Sequence, residues 1–290
     1  QASRMQQLLG AERIGEALRQ DSAQKLKAVL ISHVDTSTSF VNDVAAVRTE
    51  LDRLGHPALL MVDCIASLAC DRFEMDAWGV DVMVAASQKG LMLPPGMGFV
   101  FFNDRAVQSR KAMARVSRYW DWQPRSRPEL YYEYFNGTAL THHLYGLRVS
   151  LDMLHEEGME QVWARHETLA QAIWAACDAW SSGGDLRLNV VDPAHRSRAV
   201  TAAALTAPDA TRLRQWLSER AGVTLGIGLG MAPPGDPACD GFFRFGHMGH
   251  VNAHMVLGML SSVQAGMAAL GIAYGAGGID AATAIVAHRA

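Results

Sequence analysis

The sequence predicts an α/β fold: a large unit built on a mostly parallel sheet, followed by a smaller C-terminal α/β unit. Three observations predict it. Short β-branched apolar runs alternate with amphipathic helical stretches in a βαβ rhythm. The chain's 290 residues are enough for two domains. A continuous helical pattern from Thr141 to Trp180, with a break expected at Gly158, separates the two alternating regions. The boundary is therefore expected near Glu156-Glu157-Gly158, giving residues 1–157 and 158–290.

Gln6 to Lys27 has a mixed helical pattern with many charges. Ala28-Val29-Leu30-Ile31-Ser32 reads as a strand ending at His33-Val34-Asp35-Thr36-Ser37-Thr38. Asp43 to Leu54 is an amphipathic helix with Val44, Val47 and Leu51 on one face, Asn42 or Asp43 as N-cap and Gly55 as stop. Ala58 to Val62 is a second strand, ending at Asp63. A short helix around Met75–Gly79 leads into a third strand, Val80 to Ala86, and then Ser87-Gln88-Lys89-Gly90. Pro94-Pro95-Gly96 turns the chain, so Gly98 to Phe102 can return antiparallel. Arg110 to Pro128, basic and aromatic, reads as an excursion. Beyond Trp180, strands are expected at Leu186–Val191, Ala199–Leu205 and Phe242–Phe245. Helices are expected at Asp209–Ala221 and Asn252–Leu270.

Bulk properties exclude several classes. Net charge is −3, so there is no basic footprint for nucleic acid. The most apolar stretch, Met255–Leu270, is interrupted by Gly258, Ser261, Ser262 and Gln264, which argues against a membrane span. Gln1 to Gln6 lack the apolar core of a signal peptide. Cys64, Cys70, Cys177 and Cys239 are scattered without a Cys-x-x-Cys pair. That spacing points to a reducing cytoplasm and to neither a zinc site nor a disulfide framework.

The chemistry gathers at strand ends. Open parallel sheets bind ligands beyond the carboxyl ends of their strands. Three such ends present Ser37, Asp63 and Lys89. A lysine there can be partly desolvated and attack carbonyls as the neutral amine; taken alone it reads more readily as a surface lysine after a strand, because lysines are mostly exposed. Asp63 follows four apolar residues, where a bare carboxylate is costly without a positive partner; it also suits a helix N-cap. Lysine and carboxylate together suit pyridoxal phosphate, the lysine as Schiff-base amine and the acid as partner of the ring nitrogen. Ser87 and Gln88 could bond the phosphate or ring. Arg244, between Phe243 and Phe245, has a fork suited to a carboxylate, or to an ordinary salt bridge. Gly226-Ile227-Gly228-Leu229-Gly230 is followed by Met231-Ala232-Pro233-Pro234 and no helix. It reads as a flexible loop near the substrate mouth, not a dinucleotide site.

These residues carry a resemblance. Asp35-Thr36-Ser37-Thr38, Val62-Asp63-Cys64-Ile65-Ala66-Ser67-Leu68, Trp78-Gly79-Val80-Asp81 and the loop Ser87 to Gly96 resemble class V pyridoxal-phosphate aminotransferases. So do Leu144 to Arg148, Val162 to His166 and Arg244 to Gly249. The alanine–glyoxylate and serine–glyoxylate branch of that family fits best, and Tyr119-Trp120-Asp121-Trp122 and the Leu91-Met92-Leu93-Pro94-Pro95-Gly96 form of the loop resemble its serine–glyoxylate group. The resemblance implies a fold-type I transferase, N-terminally incomplete, that moves an amino group from a small amino acid, with serine favoured, to glyoxylate. Related donors are alanine, aspartate or pyridoxamine. It implies Lys89 as Schiff-base lysine and proton shuttle, Asp63 on the pyridine nitrogen, Ser37 on the ring hydroxyl and Gln88 near the phosphate. It further implies Thr138 at the partner subunit's phosphate in a homodimer, and Arg244 on the substrate carboxylate. Against the resemblance, five departures are expected: an absent N-terminal segment that cradles the phosphate, Gly137-Thr138-Ala139 for Tyr-Thr-Pro, Asp35 for Glu, Ser39 for Gly, and an atypical Leu140-Thr141-His142-His143. A truncated or degenerate homologue without catalysis is the second expectation.

Overall fold

The computed structural model describes residues 10–289. The signal-peptide reading of Gln1–Gln6, and positions 6–9 of the first helical stretch, lie outside them; the described part of that stretch is α1 (Ala11–Gln20).

Strand β1 (Ala28–Ser32) is followed by a two-rung hairpin, β2 (Val34–Asp35) and β3 (Phe40–Val41), which the sequence did not signal because two-residue strands carry no period. Helix α2 (Val44–Arg53) starts where Asp43 accepts the Ala46 amide at 2.9 Å and stops before Gly55 at φ +56°. Its Val44, Val47 and Leu51 are buried with Leu18 of α1 against Leu60 and Val62. Strands β4 (Leu59–Asp63) and β5 (Val82–Ala86) run parallel to β1, in register Ser32↔Asp63 and Asp63↔Val84. Between them the chain makes turns and no helix, in contrast to the expected short helix. Buried Asp81 secures the start of β5: it accepts the Leu60 amide at 2.8 Å, Asn103 Nδ2 at 2.9 Å and Arg105 Nη1 at 3.0 Å. A desolvated carboxylate is tolerable with its oxygens so fully bonded. After the Pro94–Gly96 turn, β6 (Gly98–Phe102) pairs antiparallel with β5, as expected, giving the sheet order β1-β4-β5-β6.

The excursion carries α3 (Asp104–Lys111) and a single turn, α4 (Gln123–Ser126). Helices α5 (Thr141–Glu157) and α6 (Met159–Ser181) meet at Gly158, whose φ of +81° makes the predicted break. The second sheet is wholly antiparallel, in the order β7 (Arg187–Leu188), β8 (Val200–Ala204), β10 (Phe242–Gly246), β9 (Gly226–Ile227). The expected Leu186–Val191 strand is thus reduced to two residues. The expected 209–221 helix is α7 (Asp209–Trp216) plus one wide turn to Ala221, ended by left-handed Gly222. Gly226–Ile227, expected as loop, is an edge strand.

Helix α8 (Ala253–Leu270) is capped by Asn252, and α9 (Gly278–Arg289), not anticipated, lies along α6. By length and composition α8 is long and apolar enough to cross a membrane, which the sequence reading had discounted. Its Val256, Leu260, Val263 and Met267 are packed in the core with Trp180, Phe243 and Phe245. Along β10 the burial alternates: Phe243 and Phe245 enter this core while Arg244 faces away from it.

Candidate active site

The two parallel neighbours β4 and β5 end side by side. Asp63 is the last residue of β4, and Lys89 lies three residues past the end of β5. Asp63 is half-buried, less desolvated than its apolar run suggested. Its Oδ1 accepts the Ile65 amide at 2.8 Å, a loop-turning bond. No described residue donates to Oδ2, so the turn uses one oxygen and leaves the other. Lys89 is half-buried, and its amine has no ion pair or hydrogen bond among the described residues. Beneath Asp63 a hollow of about 350 Å³ opens on the face of the sheet, floored by Leu30, Met61, Val82 and Val84, with Asp63 its one titratable lining residue among those described.

The lysine turn is held from several sides. Ser87 is buried; its hydroxyl donates to the Pro94 carbonyl at 2.8 Å and accepts the Met97 amide at 3.2 Å. It is therefore spent inside the loop, and the expectation that Ser87 bonds a phosphate or ring is corrected. Gly90 is pressed so closely against the segment after Asp63 that a Cβ there would lie 2.0 Å from the Leu68 carbonyl oxygen. Gln88 is exposed and makes no hydrogen bond among the described residues.

Ser37 sits in the turn between β2 and β3, its amide donating to Asp35 Oδ1 at 3.0 Å. Ser39, where the family usually has glycine, adopts φ +62°, the left-handed region that glycine enters without cost. Its hydroxyl accepts the Ala202 amide of β8 at 3.0 Å, which offsets part of that strain. Arg244 reaches the same turn: Nη1 donates to the Thr36 carbonyl at 2.9 Å and Nε to the Ile227 carbonyl at 2.8 Å. Burial lowers its guanidinium from the ordinary value, with the Asp35 carboxylate opposing. The arm after β9 passes over Ser37, since a Cβ on Gly230 would stand 3.6 Å from the Ser37 hydroxyl. The fold thus brings Ser37 and Arg244 together, and Asp63 and Lys89 to one sheet edge. Thr138 is exposed in the turn before α5 and bonds to none of them.

A model of the class V aminotransferases matches residues 9–243. The chain belongs to the class V aminotransferase family. Among its relatives, the serine–glyoxylate aminotransferase of Arabidopsis thaliana is 35% identical over 252 residues, covering 87% of this chain and 60% of that protein. The L-aspartate–glyoxylate aminotransferase of Paracoccus denitrificans is 34% identical over 265 residues, covering 90% of this chain and 64% of that protein. The chain thus spans somewhat over half the length of these curated relatives. The crystal structure of pyridoxamine–pyruvate aminotransferase from Mesorhizobium loti superposes with a TM-score of 0.83 at 26% identity, over 97% of this chain and 70% of that one. Membership of the family agrees with the mostly parallel first sheet of the α/β fold.

Sequence reasoning missed the contacts that tie the two halves together. Fully buried Asp71 accepts the Ser197 hydroxyl and the Arg198 amide, both at 2.8 Å; burial pushes its carboxyl up to about 6. It also missed His166, whose Nε2 accepts the Gly249 amide at 3.0 Å. Both residues looked like ordinary helix or loop positions, and only their long-range partners distinguish them.

Proposed function

We propose that this class V chain carries an amino-transfer site that uses pyridoxal 5'-phosphate, with Lys89 as the anchoring amine, and moves an amino group from a small amino acid to a 2-oxo acid. The observation that carries the reading is the pair Lys89 and Asp63 at neighbouring parallel strand ends, with an amine and a carboxylate oxygen left without partners among the described residues. That donor set fits the cofactor: the amine suits its aldehyde, and the carboxylate oxygen above an apolar floor suits a protonated pyridine nitrogen. When bound, pyridoxal phosphate supplies an electron sink for the charge left by loss of the substrate's α-proton.

The chain's own residues do the rest. Lys89 Nζ would hold the cofactor and, once displaced by the substrate's amine, would take the proton from the substrate α-carbon as general base and give it up to the cofactor as acid. Asp63 would keep the ring nitrogen protonated. The Ser37 hydroxyl would bond the ring hydroxyl, and Gln88 would lie near the phosphate. Arg244, steadied by the Thr36 and Ile227 carbonyls, orients the substrate carboxylate. We infer serine as donor and glyoxylate as acceptor from the serine–glyoxylate relative. Aspartate, alanine and pyridoxamine are the competing donors, the first from the Paracoccus relative. A homodimer is part of the reading: exposed Tyr119, Trp120, Tyr131, Tyr132, Tyr134 and Tyr145 flank Thr138 in sequence, which would then serve a partner's phosphate. A cytoplasmic location is in keeping with the free cysteines.

Incubation with pyridoxal phosphate, borohydride reduction and peptide mass spectrometry test the reading. The expected result is a reduced adduct on Lys89, absent in Lys89→Ala. Adduct only on Lys25, Lys27 or Lys111, or none, would overturn it.

A further inference from the structure

The residue after which the lysine turn takes its position lies on the other half of the chain. Gly249 has φ +83°, and a Cβ there would stand 3.4 Å from the Lys89 carbonyl oxygen and 3.2 Å from Met92 Cγ, so its backbone rests directly on the turn. Lys89 O also accepts the Met92 amide at 2.9 Å, closing the turn. Gly90 is pressed on its other side against Leu68 and Cys70. The turn is therefore wedged between the loop that leaves Asp63 and the segment that leaves β10.

That segment is gripped by two consecutive residues of α6. His166 is 1% exposed. Its Nδ1–H donates to the Val162 carbonyl at 2.7 Å, which leaves Nε2 as the acceptor that takes the Gly249 amide at 3.0 Å. Arg165 Nη1 donates to the Gly249 and Val251 carbonyls at 2.9 and 3.0 Å. Arg165 is itself fixed by a two-bond contact with Glu157, the last residue of α5, at 2.6 and 2.9 Å. Both backbone groups of Gly249 are thus held by side chains. Arg244 lies five residues upstream, within β10 itself.

We infer that His166 and Arg165 are positioning residues for Lys89: by fixing Gly249 against the Lys89 peptide they set where the amine stands relative to Arg244. The inference rests on the assignment of Lys89 and Arg244 made above. Its consequence is that the carboxylate grip and the amine are set by one short, doubly clamped segment, so disturbance of α6 reaches the amine without touching it.

The test uses His166→Phe, which fills the site without an acceptor, and His166→Gln, whose side-chain carbonyl can take the Gly249 amide. Labelling of each lysine by a water-soluble amine reagent is followed by mass spectrometry, without cofactor, well below the melting temperature. The Lys89 rate is expected to change about fivefold in His166→Phe, the factor that one net hydrogen bond carries. Lys25, Lys27 and Lys111 should stay constant, and His166→Gln should restore the Lys89 rate. An unchanged ratio of Lys89 to the other lysines in His166→Phe overturns the inference. So does a change shared by all lysines, which marks general loosening. Should His166→Phe fail to fold, Glu157→Gln, which weakens the Arg165 contact at a less buried place, is read by the same criterion. Because no cofactor is present, this result is independent of the borohydride experiment: absence of an adduct on Lys89 would remove the proposed function and leave the clamp measurable.

Discussion

Acidification from pH 7 to pH 5 should destabilise the fold through its buried titratable groups; His166, which burial also lowers, adds to the loss in the same direction, and three others set its scale. Burial pushes His33 down to about 4 and His247 down to about 3, while Asp71 is raised to about 6. A histidine with a depressed folded pKa contributes full stability above the unfolded value near 6.5. As pH falls below that, the unfolded chain takes up a proton that the fold refuses, so stability is lost down to the folded pKa. At pH 5 each of these histidines has lost about 2 kcal/mol, at 1.36 kcal/mol per pH unit. Asp71 works the other way: between 6 and 5 the fold takes up a proton that the unfolded chain does not, returning about 1 kcal/mol. The net expectation is a loss of about 2 to 3 kcal/mol, read from urea unfolding at the two pH values. His247 donates through Nδ1 to the Arg198 carbonyl at 2.9 Å, and its Nε2 accepts from the Thr201 hydroxyl at 2.9 Å. An amide side chain can serve both partners. His247→Gln should therefore fold and should reduce the pH loss by about 2 kcal/mol. A flat wild-type profile, or the same slope in His247→Gln, would refute the reasoning.

Two further expectations follow from contacts near the strand ends. Gly90→Ala places a methyl 2.0 Å from the Leu68 carbonyl oxygen and 2.9 Å from Cys70 Sγ. A backbone oxygen cannot swing aside, so the cost should reach about 3 kcal/mol in urea unfolding, with the Lys89 borohydride adduct lost or slowed. Arg244→Lys removes the fork that reaches both the Thr36 and Ile227 carbonyls. It should weaken competition by a small carboxylate such as glyoxylate by about tenfold, while cofactor attachment at Lys89 persists.

The strand ends were legible because their signals are local. The β-branched runs ending at Asp63 and before Lys89 announced parallel strands, and the Pro94–Gly96 turn announced the antiparallel return of β6. The break at Gly158 was legible for the same reason: glycine alone enters that backbone region freely. What the sequence did not reveal depends on partners far along the chain. The two-residue strands β2, β3 and β9 exist because their neighbours pair with them, which no periodicity encodes. Ser87 looked available to a phosphate until Pro94 and Met97 were found on its hydroxyl. Arg244 read equally as a surface ion pair. The alternation of β10, which turns Phe243 and Phe245 into the core and leaves Arg244 facing the Thr36–Ser37 turn, becomes visible only with the opposite sheet in place. His166 carried no signal beyond its membership of a stretch resembling the family.

The turn that holds Ser37 is sewn to the second sheet along its length. Thr36 is bonded by Arg244, Thr38 by Asn189, and Ser39 by the Ser197 and Ala202 amides. Stitches in series along a seam must all part together, so the two sheets cannot gape apart there as the halves of a shell do. The glycine-rich arm beyond β9 lies over this seam, with a Cβ on Gly230 placed 3.6 Å from the Ser37 hydroxyl, so any route to Ser37 from that side runs past the arm.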